Sequence, residues 1–508
     1  MKKIIAMLLA VVMLLGLVAC GTKPVETTAP VETQPVETQP VETQPAETEP
    51  VAGEIPTLIW YQVGGGQPAN YESWQAKVNA YLEEKIGVHL DVRVGSWGDW
   101  GNLRSVTVQT NEPYDLMFTD MSTYTTDVQM GAFADITDLM AEVPGLTNLI
   151  PQAYLDACIV DGKLYAIPAY KDSSMTDFFV WNKDSVEAYF PGYADAHDLA
   201  SVYEGLKAIN AETGEIWGVS GSIGAIDAHS HDSASLGRCG IGINVNGGTE
   251  FVAMYEDEAL LSQYRILHQM FQEGLINSDA ATRTGEYDGP TVVGTAQGWP
   301  SAGVTTWGPS RGEEVVCVQY EDTLVSNGTI MGSMTAISAS SEHVLEALKF
   351  IELVNTDSYV RDMLGYGEEG VNWEYTEAYG EKRVHKIEGA PSWTFAAYTQ
   401  GTFFNWTLTD DVETNYWVEE VQKQNENAVP SPALGFVVDT TVEVNGKTVA
   451  DHVNAFCAIV TEYFNLFASG TADPDETVAT MMEVLRANDF DAVLAEINRQ
   501  YDQWLASK

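Results

Sequence analysis

Few segments of this chain carry residues whose chemistry goes beyond packing. Trp299 and Trp307 lie among Gly298, Pro300, Gly303, Gly308 and Pro309, and Trp373 follows the turn Gly367-Glu368-Glu369-Gly370. An indole held in a turn offers a flat apolar face and one N–H donor, which suits stacking on a ligand, whereas Trp504 on an amphipathic helix reads as core. The run Ile226-Asp227-Ala228-His229-Ser230-His231-Asp232 contains the His-x-His of metal-dependent hydrolases. The later histidines His268, His343, His385 and His452 have no matching surroundings, so a polar surface loop is expected there. No G-x-S-x-G motif falls at a convincing strand-to-helix switch, and there is no phosphate-binding GxxxxGK. Paired carboxylates abound in so acidic a chain and identify no glycosidase. These residues point to binding rather than catalysis, with no catalytic group, metal ligand or cofactor assigned.

Charge narrows the partners. The 508 residues include 73 Asp plus Glu against 25 Lys plus Arg, a formal net charge of −48 at pH 7. Nucleic acid is excluded as a partner, because phosphates need clustered cations and no basic stretch follows Lys3. With 45% hydrophobic and 10% aromatic residues, the body is a folded protein rather than an acidic disordered chain. Its length predicts two to four domains, or two large lobes. Cys158, Cys239, Cys317 and Cys457 are widely spaced, too few for a disulfide framework, and are expected to be isolated buried thiols.

The first residues read as an address. Lys2 and Lys3 precede the apolar run Ile4 to Ala19, the sole stretch approaching the ~18–20 residues that span a bilayer. Leu17-Val18-Ala19-Cys20 resembles the lipobox of bacterial lipoproteins, in which cleavage before the Cys accompanies attachment of diacylglycerol to its sulfur. Residues 1–19 are therefore expected to be a signal peptide, with Cys20 the lipidation site. Pro24, Pro30, Pro35, Pro40, Pro45 and Pro50 then punctuate Pro-Val-Glu-Thr repeats without any apolar face. Such a segment favours extended polyproline geometry, so residues 20–54 are predicted to be a tether reaching at most about 105 Å.

The elements that must position the candidates follow. Thr57–Gln62 predicts a strand. Trp74, Val78, Tyr81, Leu82 and Ile86 then fall at helical spacing until Gly87, and Val88, Leu90, Val92 and Val94 alternate as a second strand. A helix near Asn102–Gln109 leads to a third strand over Tyr114–Thr119. This βαβαβ order implies a mainly parallel sheet with ligands at the carboxyl ends of its strands, which directs attention to the loops after Gln62, Val94 and Phe118.

Three segments occur in a telling order: Pro113-Tyr114-Asp115-Leu116-Met117-Phe118, Gly131-Ala132-Phe133-Ala134-Asp135-Ile136, and Asp161-Gly162-Lys163-Leu164-Tyr165-Ala166-Ile167-Pro168 followed by Asn182-Lys183-Asp184. On these the chain resembles the extracellular solute-binding proteins of family 1, the sugar receptors of ABC importers. Gly367–Trp373 and the segment Thr471–Trp504 resemble a Gram-positive lipoprotein branch of it. Residues 194–310 match loosely. The resemblance implies an α/β fold of two discontinuous lobes, periplasmic-binding-protein-like (type II), with hinge crossings and a central cleft. Lobe 1 is expected over 55–168 and 335–365, and lobe 2 over 169–334 and 366–508 with a C-terminal helical segment. The crossings fall near Pro168-Ala169, Gly332–Ser338 and Gly365–Gly370. The helix Glu342–Val354 lies back on lobe 1.

It also implies a lipid-anchored monomer on the outer face of the cell membrane that delivers a carbohydrate to ABC permease subunits. Sugar rings stack on aromatic side chains while their hydroxyls need polar partners. On that basis Asp120, Tyr170, Lys171, Asp172, Trp299, Trp307, Glu369 and Trp373 are the candidate ligand-binding residues. For Asp120 the alternative is a helix cap, and for Tyr170–Asp172 a solvated turn. A receptor for peptides or polyamines on the same fold is the second reading, and a secreted carbohydrate-active enzyme the third.

Overall fold

The strand β1 (Thr57–Gly64) pairs in parallel with β2 (His89–Ser96) on one side and with β3 (Leu116–Thr119) on the other. The structure, a computed structural model, describes residues 55–110, 112–285 and 287–508. The signal, Cys20 and tether expectations therefore lie outside the described residues. Between β1 and β2 runs the helix Tyr71–Ile86, which buries Trp74, Val78 and Leu82 and stops at Gly87. That glycine has φ 69°, and its N–H reaches the carbonyls of Leu82 and Glu83, an ending that a side chain would strain.

Two more strands complete this first sheet. β4 (Ala166–Pro168) and β9 (Met334–Ile337) give the order β2-β1-β3-β9-β4, with β9 antiparallel to both neighbours. Helix Val344–Thr356 packs on it through Ala347, Leu348, Phe350 and Ile351, and Phe350 meets Trp60 edge-on at 5.4 Å. The second lobe has its own sheet of β5 (Met175–Asn182), β6 (Ile216–Trp217), β7 (Thr291–Gln297), β8 (Val315–Val325) and β10 (Val429–Pro430), in the order β10-β8-β5-β7-β6. Against it lie the helices Leu199–Thr213 and Glu258–Gln272 and the C-terminal trio Val449–Ala468, Pro474–Arg486 and Phe490–Ser507. Each lobe has a separate apolar core.

The register shows which ends of the two sheets face each other. In the first lobe Thr119 pairs with Met334 and Met334 with Pro168, so the carboxyl ends of β1, β2 and β3 lie on the side where the chain leaves and re-enters. In the second, Met175 pairs with Leu324 and Asp177 with Gln297, so the turn after β7 faces the same crossings. The chain passes out between Pro168 and Met175 and back between Val325 and Met334. Met334–Ile337, expected within a hinge, is a fully buried core strand.

The third crossing differs most from expectation. Residues after Gly365 were assigned to lobe 2, yet the hairpin Trp373–Ala378/Glu381–Lys386 folds onto lobe 1, with Trp373, Val384 and Phe395 in its core. The chain stays there through Glu413, whose carbonyl accepts from Arg383 Nη2 at 3.0 Å. It then reaches lobe 2 at Tyr416, which stacks on Trp299. The glycines at 365–370 had suggested a hinge. Their actual task is to turn the chain back so that Trp373 becomes core.

Two smaller expectations also change. The segment around His229 and His231 is a short helix, Ala225–Ser230, followed by a strand, not a surface loop. Both rings are buried, with His229 Nε2 2.8 Å from Asp177 and His231 Nε2 3.2 Å from Asp257. Among the described residues no group of three or more His, Cys, Asp or Glu is placed to hold a metal ion. All four thiols are free; Cys158 and Cys239 are buried, whereas Cys317 and Cys457 are only half-buried, and Cys457 Sγ donates to Leu236 O at 3.6 Å.

Candidate functional site in the interlobe cleft

The first-lobe rim carries an exposed pair of rings. Trp97 follows β2 directly and is 50% exposed, and Tyr398, from the distant segment after Phe395, is 44% exposed. Their planes differ by 4° with centroids 6.1 Å apart, and Phe118 supports Trp97 edge-on at 6.2 Å. Tyr398 is held by its neighbours. Thr399 Oγ1 donates to Gln62 Oε1 at 2.7 Å, and the buried Arg361 donates to Ala397 O at 2.8 Å, Gln400 Oε1 at 3.1 Å and Thr402 O at 2.8 Å. The result is a stacked aromatic pair that leaves about half of each side chain in water.

The second-lobe rim is built from aromatics that pack on one another. Trp299 lies nearly parallel to Tyr416 at 5.5 Å and tilted against Trp417 at 5.1 Å, so one face is already covered. Its ring is half-buried and its Nε1–H has no partner. Gln424 Nε2 donates to Gly298 O, and Glu420 accepts from Ser301 N and Oγ, which ties this turn to the third crossing. Trp307 packs on Phe178 at 5.6 Å and closes over Gly298, where an added Cβ would stand 2.8 Å from its ring. It buttresses the Trp299 turn.

Beside the return crossing lies a cavity of about 410 Å³. Met121 and Met175 meet Asp227, His231, Ser235, Arg238, Met254, Leu324 and Ser326 there. Arg238 Nε donates to Asp227 Oδ2 at 3.1 Å. Burial pushes the Asp227 carboxyl up, and the Arg238 charge opposes that shift. Burial likewise lowers the His231 ring, which favours neutral imidazole.

The remaining sequence candidates are scattered. Asp120 stands at the carboxyl end of β3, on the rim, but its Oδ1 accepts from Ser122 N at 2.9 Å and closes a local turn rather than capping a helix. Lys171 and Asp172 pair with each other in the first crossing, and Asn425 Nδ2 donates to Lys171 O. Tyr170 is buried between Tyr154 and Phe404, and burial raises its phenol. Glu369 accepts from Tyr359 Oη at 3.0 Å and pairs with Lys77 at 3.6 Å. Trp373 is fully buried and donates to Gly367 O at 2.8 Å. The structure thus places Asp120 at the carboxyl end of β3, the Lys171–Asp172 pair in the first crossing and Trp299 in the turn after β7, and assigns Tyr170, Glu369 and Trp373 to the packing of lobe 1. Trp97 was overlooked although it lies in the loop after Val94 that strand order had marked. Tyr398 gave no local signal.

Comparison with known proteins agrees with this architecture. A family model described as "Bacterial extracellular solute-binding protein" matches residues 65–361. The chain belongs to that family. A second model, "Domain of unknown function (DUF3502)", matches residues 432–506, the C-terminal helices and the strands before them. A curated carbohydrate ABC transporter substrate-binding protein of Streptococcus pneumoniae serotype 4 is 27% identical over 469 residues, covering 90% of this chain and 92% of the relative. The crystal structure of the N-glycan transport solute binding protein (NgtS) of Streptococcus pneumoniae superposes with a TM-score of 0.76 at 25% identity, covering 89% of this chain and 99% of that one. The same protein in complex with Man1GlcNAc gives a TM-score of 0.68 at 26% identity, covering 89% and 100%. Members of this extracellular family bind solutes for transport.

Proposed function

We propose that this protein is a carbohydrate receptor that captures an oligosaccharide between its lobes and hands it to the permease of an ABC importer. The observation that carries the reading is the parallel, solvent-facing Trp97–Tyr398 pair on the rim where the strand carboxyl ends meet the crossings. Half-exposed aromatic rings keep apolar surface in water, and that surface matches the apolar C–H faces of sugar rings. The relatives that transport carbohydrate, and the complex of one of them with Man1GlcNAc, support the same reading. In this reading Trp299, Asp120, Lys171 and Asp172 add contacts as the lobes close. The chain has no catalytic role in this reading, and it works as a monomer held to the outer membrane face through lipid on Cys20.

Intrinsic-fluorescence titration and thermal shift of the full chain test this against mannosyl and N-acetylglucosaminyl oligosaccharides, a peptide panel and spermidine. Saturable quenching and a raised Tm with oligosaccharide alone are expected. Saturation by peptide or polyamine instead would replace the ligand class, and time-dependent cleavage of a bound glycan would replace the receptor role. For the anchor, detergent-phase partitioning of the wild-type chain and its abolition in Cys20→Ala are expected; equal release of both into water overturns it.

A further inference from the structure

The third crossing does more than join the lobes. From Tyr416 the chain runs through a π-helical turn, Trp417–Gln422, into the short helix Lys423–Asn427, and this stretch reaches both other crossings. Asn425, 8% exposed, holds the first: its Nδ2 donates to Lys171 O at 2.5 Å and its Oδ1 accepts from Ser174 Oγ at 2.7 Å. Just beyond, β10 pairs with β8 at Leu324 and Val325, and Ser431 N donates to Val325 O at 2.8 Å, where the return crossing begins. One short stretch is thus bonded to every segment that passes between the lobes.

The same stretch grips the Trp299 turn. Glu420 Oε2 accepts from Ser301 N at 2.9 Å and from Ser301 Oγ at 2.7 Å, and Gln424 Nε2 donates to Gly298 O at 3.1 Å. These bonds fall on both sides of Trp299 in sequence, while Tyr416 and Trp417 pack on its ring. A carboxylate that takes two donors on one oxygen holds them more firmly than a neutral acceptor. Within lobe 2 the turn is held by Gly298 N, which donates to Thr176 O at 3.0 Å, and by the Trp307 ring over Gly298. Among the described residues π-helical turns occur twice, at Gly303–Trp307 and Trp417–Gln422, and both adjoin this indole. Such turns are rare and recur at functional sites.

We propose that Glu420 is a positioning residue for the ligand site: it locks the Trp299 turn to the interlobe crossings, so that the indole is set by the state of the hinge and not by lobe 2 alone. Asn425 carries the lock on to the first crossing. Glu420 acts through Trp299 and does not itself meet the ligand. This rests on the carbohydrate reading above, in which Trp299 adds a contact as the lobes close, and it assigns how that ring is held.

A double-mutant cycle separates this role from a merely structural one. Calorimetric titration of the full chain with a mannosyl oligosaccharide compares wild type, Glu420→Ala, Trp299→Ala and the double variant, with folding checked by the melting curve. Glu420→Ala is expected to weaken binding about five- to tenfold in the wild-type background and less than about twofold in the Trp299→Ala background. Glu420→Gln, which keeps an acceptor for Ser301, is expected to bind within about twofold of wild type. Ser301→Ala removes the hydroxyl donor from the other side of the contact; it is expected to show a smaller loss of the same kind and serves if Glu420→Ala fails to fold. Asn425→Ala is expected to weaken binding about threefold, again only while Trp299 is present. A loss that persists without Trp299, or that Glu420→Gln does not recover, overturns the positioning role, as does wild-type affinity in Glu420→Ala. An equal loss from Asn425→Ala in both backgrounds overturns the link to the crossings. Saturation by peptide or spermidine in place of sugar overturns the carbohydrate reading instead, and the same cycle run with that ligand then decides the role of Glu420.

Discussion

The two rims of the cleft use aromatic rings in opposite ways. On the first lobe Trp97 and Tyr398 stack on each other and keep about half of their surface in water, with Phe118 against the edge of Trp97. On the second, Trp299 spends one face on Tyr416 and lies against Trp417, inside a cluster that continues to Phe403 at 4.6 Å from Trp417. Trp373 marks the limit, fully buried and surrounded by Tyr359, Tyr366 and Tyr375. The same residue type therefore serves folding or ligand according to how much of its face the fold has already taken. Trp373→Ala is expected to have the largest effect, a loss of roughly 3–5 kcal/mol of stability measured by denaturant unfolding. A loss below about 1 kcal/mol would erase the distinction between core and rim.

Next in size is the rim itself. Trp97→Ala is expected to cost about 2–4 kcal/mol of oligosaccharide affinity with stability changed by less than about 1 kcal/mol. Trp299→Ala divides its cost, roughly 1–2 kcal/mol in stability and a similar amount in affinity, because half of its surface is already packed. If Trp299→Ala weakens binding more than Trp97→Ala, the roles of the rims are exchanged.

A pH-dependent effect comes from the carboxyl next to Arg361 in sequence. Asp362 is buried and accepts from Tyr375 Oη and Thr407 N, both at 2.9 Å, and burial pushes its carboxyl up to about 6. With the folded value above the unfolded one near ~4, folding takes up a proton between those limits. The contribution is therefore fully favourable below about pH 4 and is lost as pH rises through about 6. Unfolding of wild type and Asp362→Asn across that window should show a difference in slope, worth about 3 kcal/mol in total. Parallel pH profiles would mean that Asp362 remains ionised throughout.

The parts of this molecule legible in the sequence are those set by local pattern. The spacing of Trp74, Val78 and Leu82 and the Gly87 stop defined the first helix, and strand alternation gave the parallel order that marked the loop holding Trp97. Contacts between residues far apart in sequence were not legible. Trp373 looked like a loop tryptophan because its glycine turn is visible, while the hairpin that packs it on lobe 1 depends on partners elsewhere. The His229 segment looked polar, yet each buried ring finds a carboxylate at a distance, Asp177 or Asp257. Asp227 and Ser235 are eight residues apart and become one cavity wall through a left-handed turn at non-glycine residues, which sequence preferences argue against.

Arg361 carries one more consequence. It is buried without any exposure, its side chain donates to two carbonyls and one amide oxygen of the segment 397–402, and its guanidinium lies 4.6 Å from the Trp406 ring. A lysine, with one nitrogen, cannot reach three divergent acceptors in this way. The loop that displays Tyr398 is thus fixed by a residue that never meets the ligand, while the displayed rings carry little structural obligation. Such a division makes the receptor evolvable: the residues at positions 97 and 398 can be exchanged for new tastes in ligand without refolding, provided that Arg361 stays.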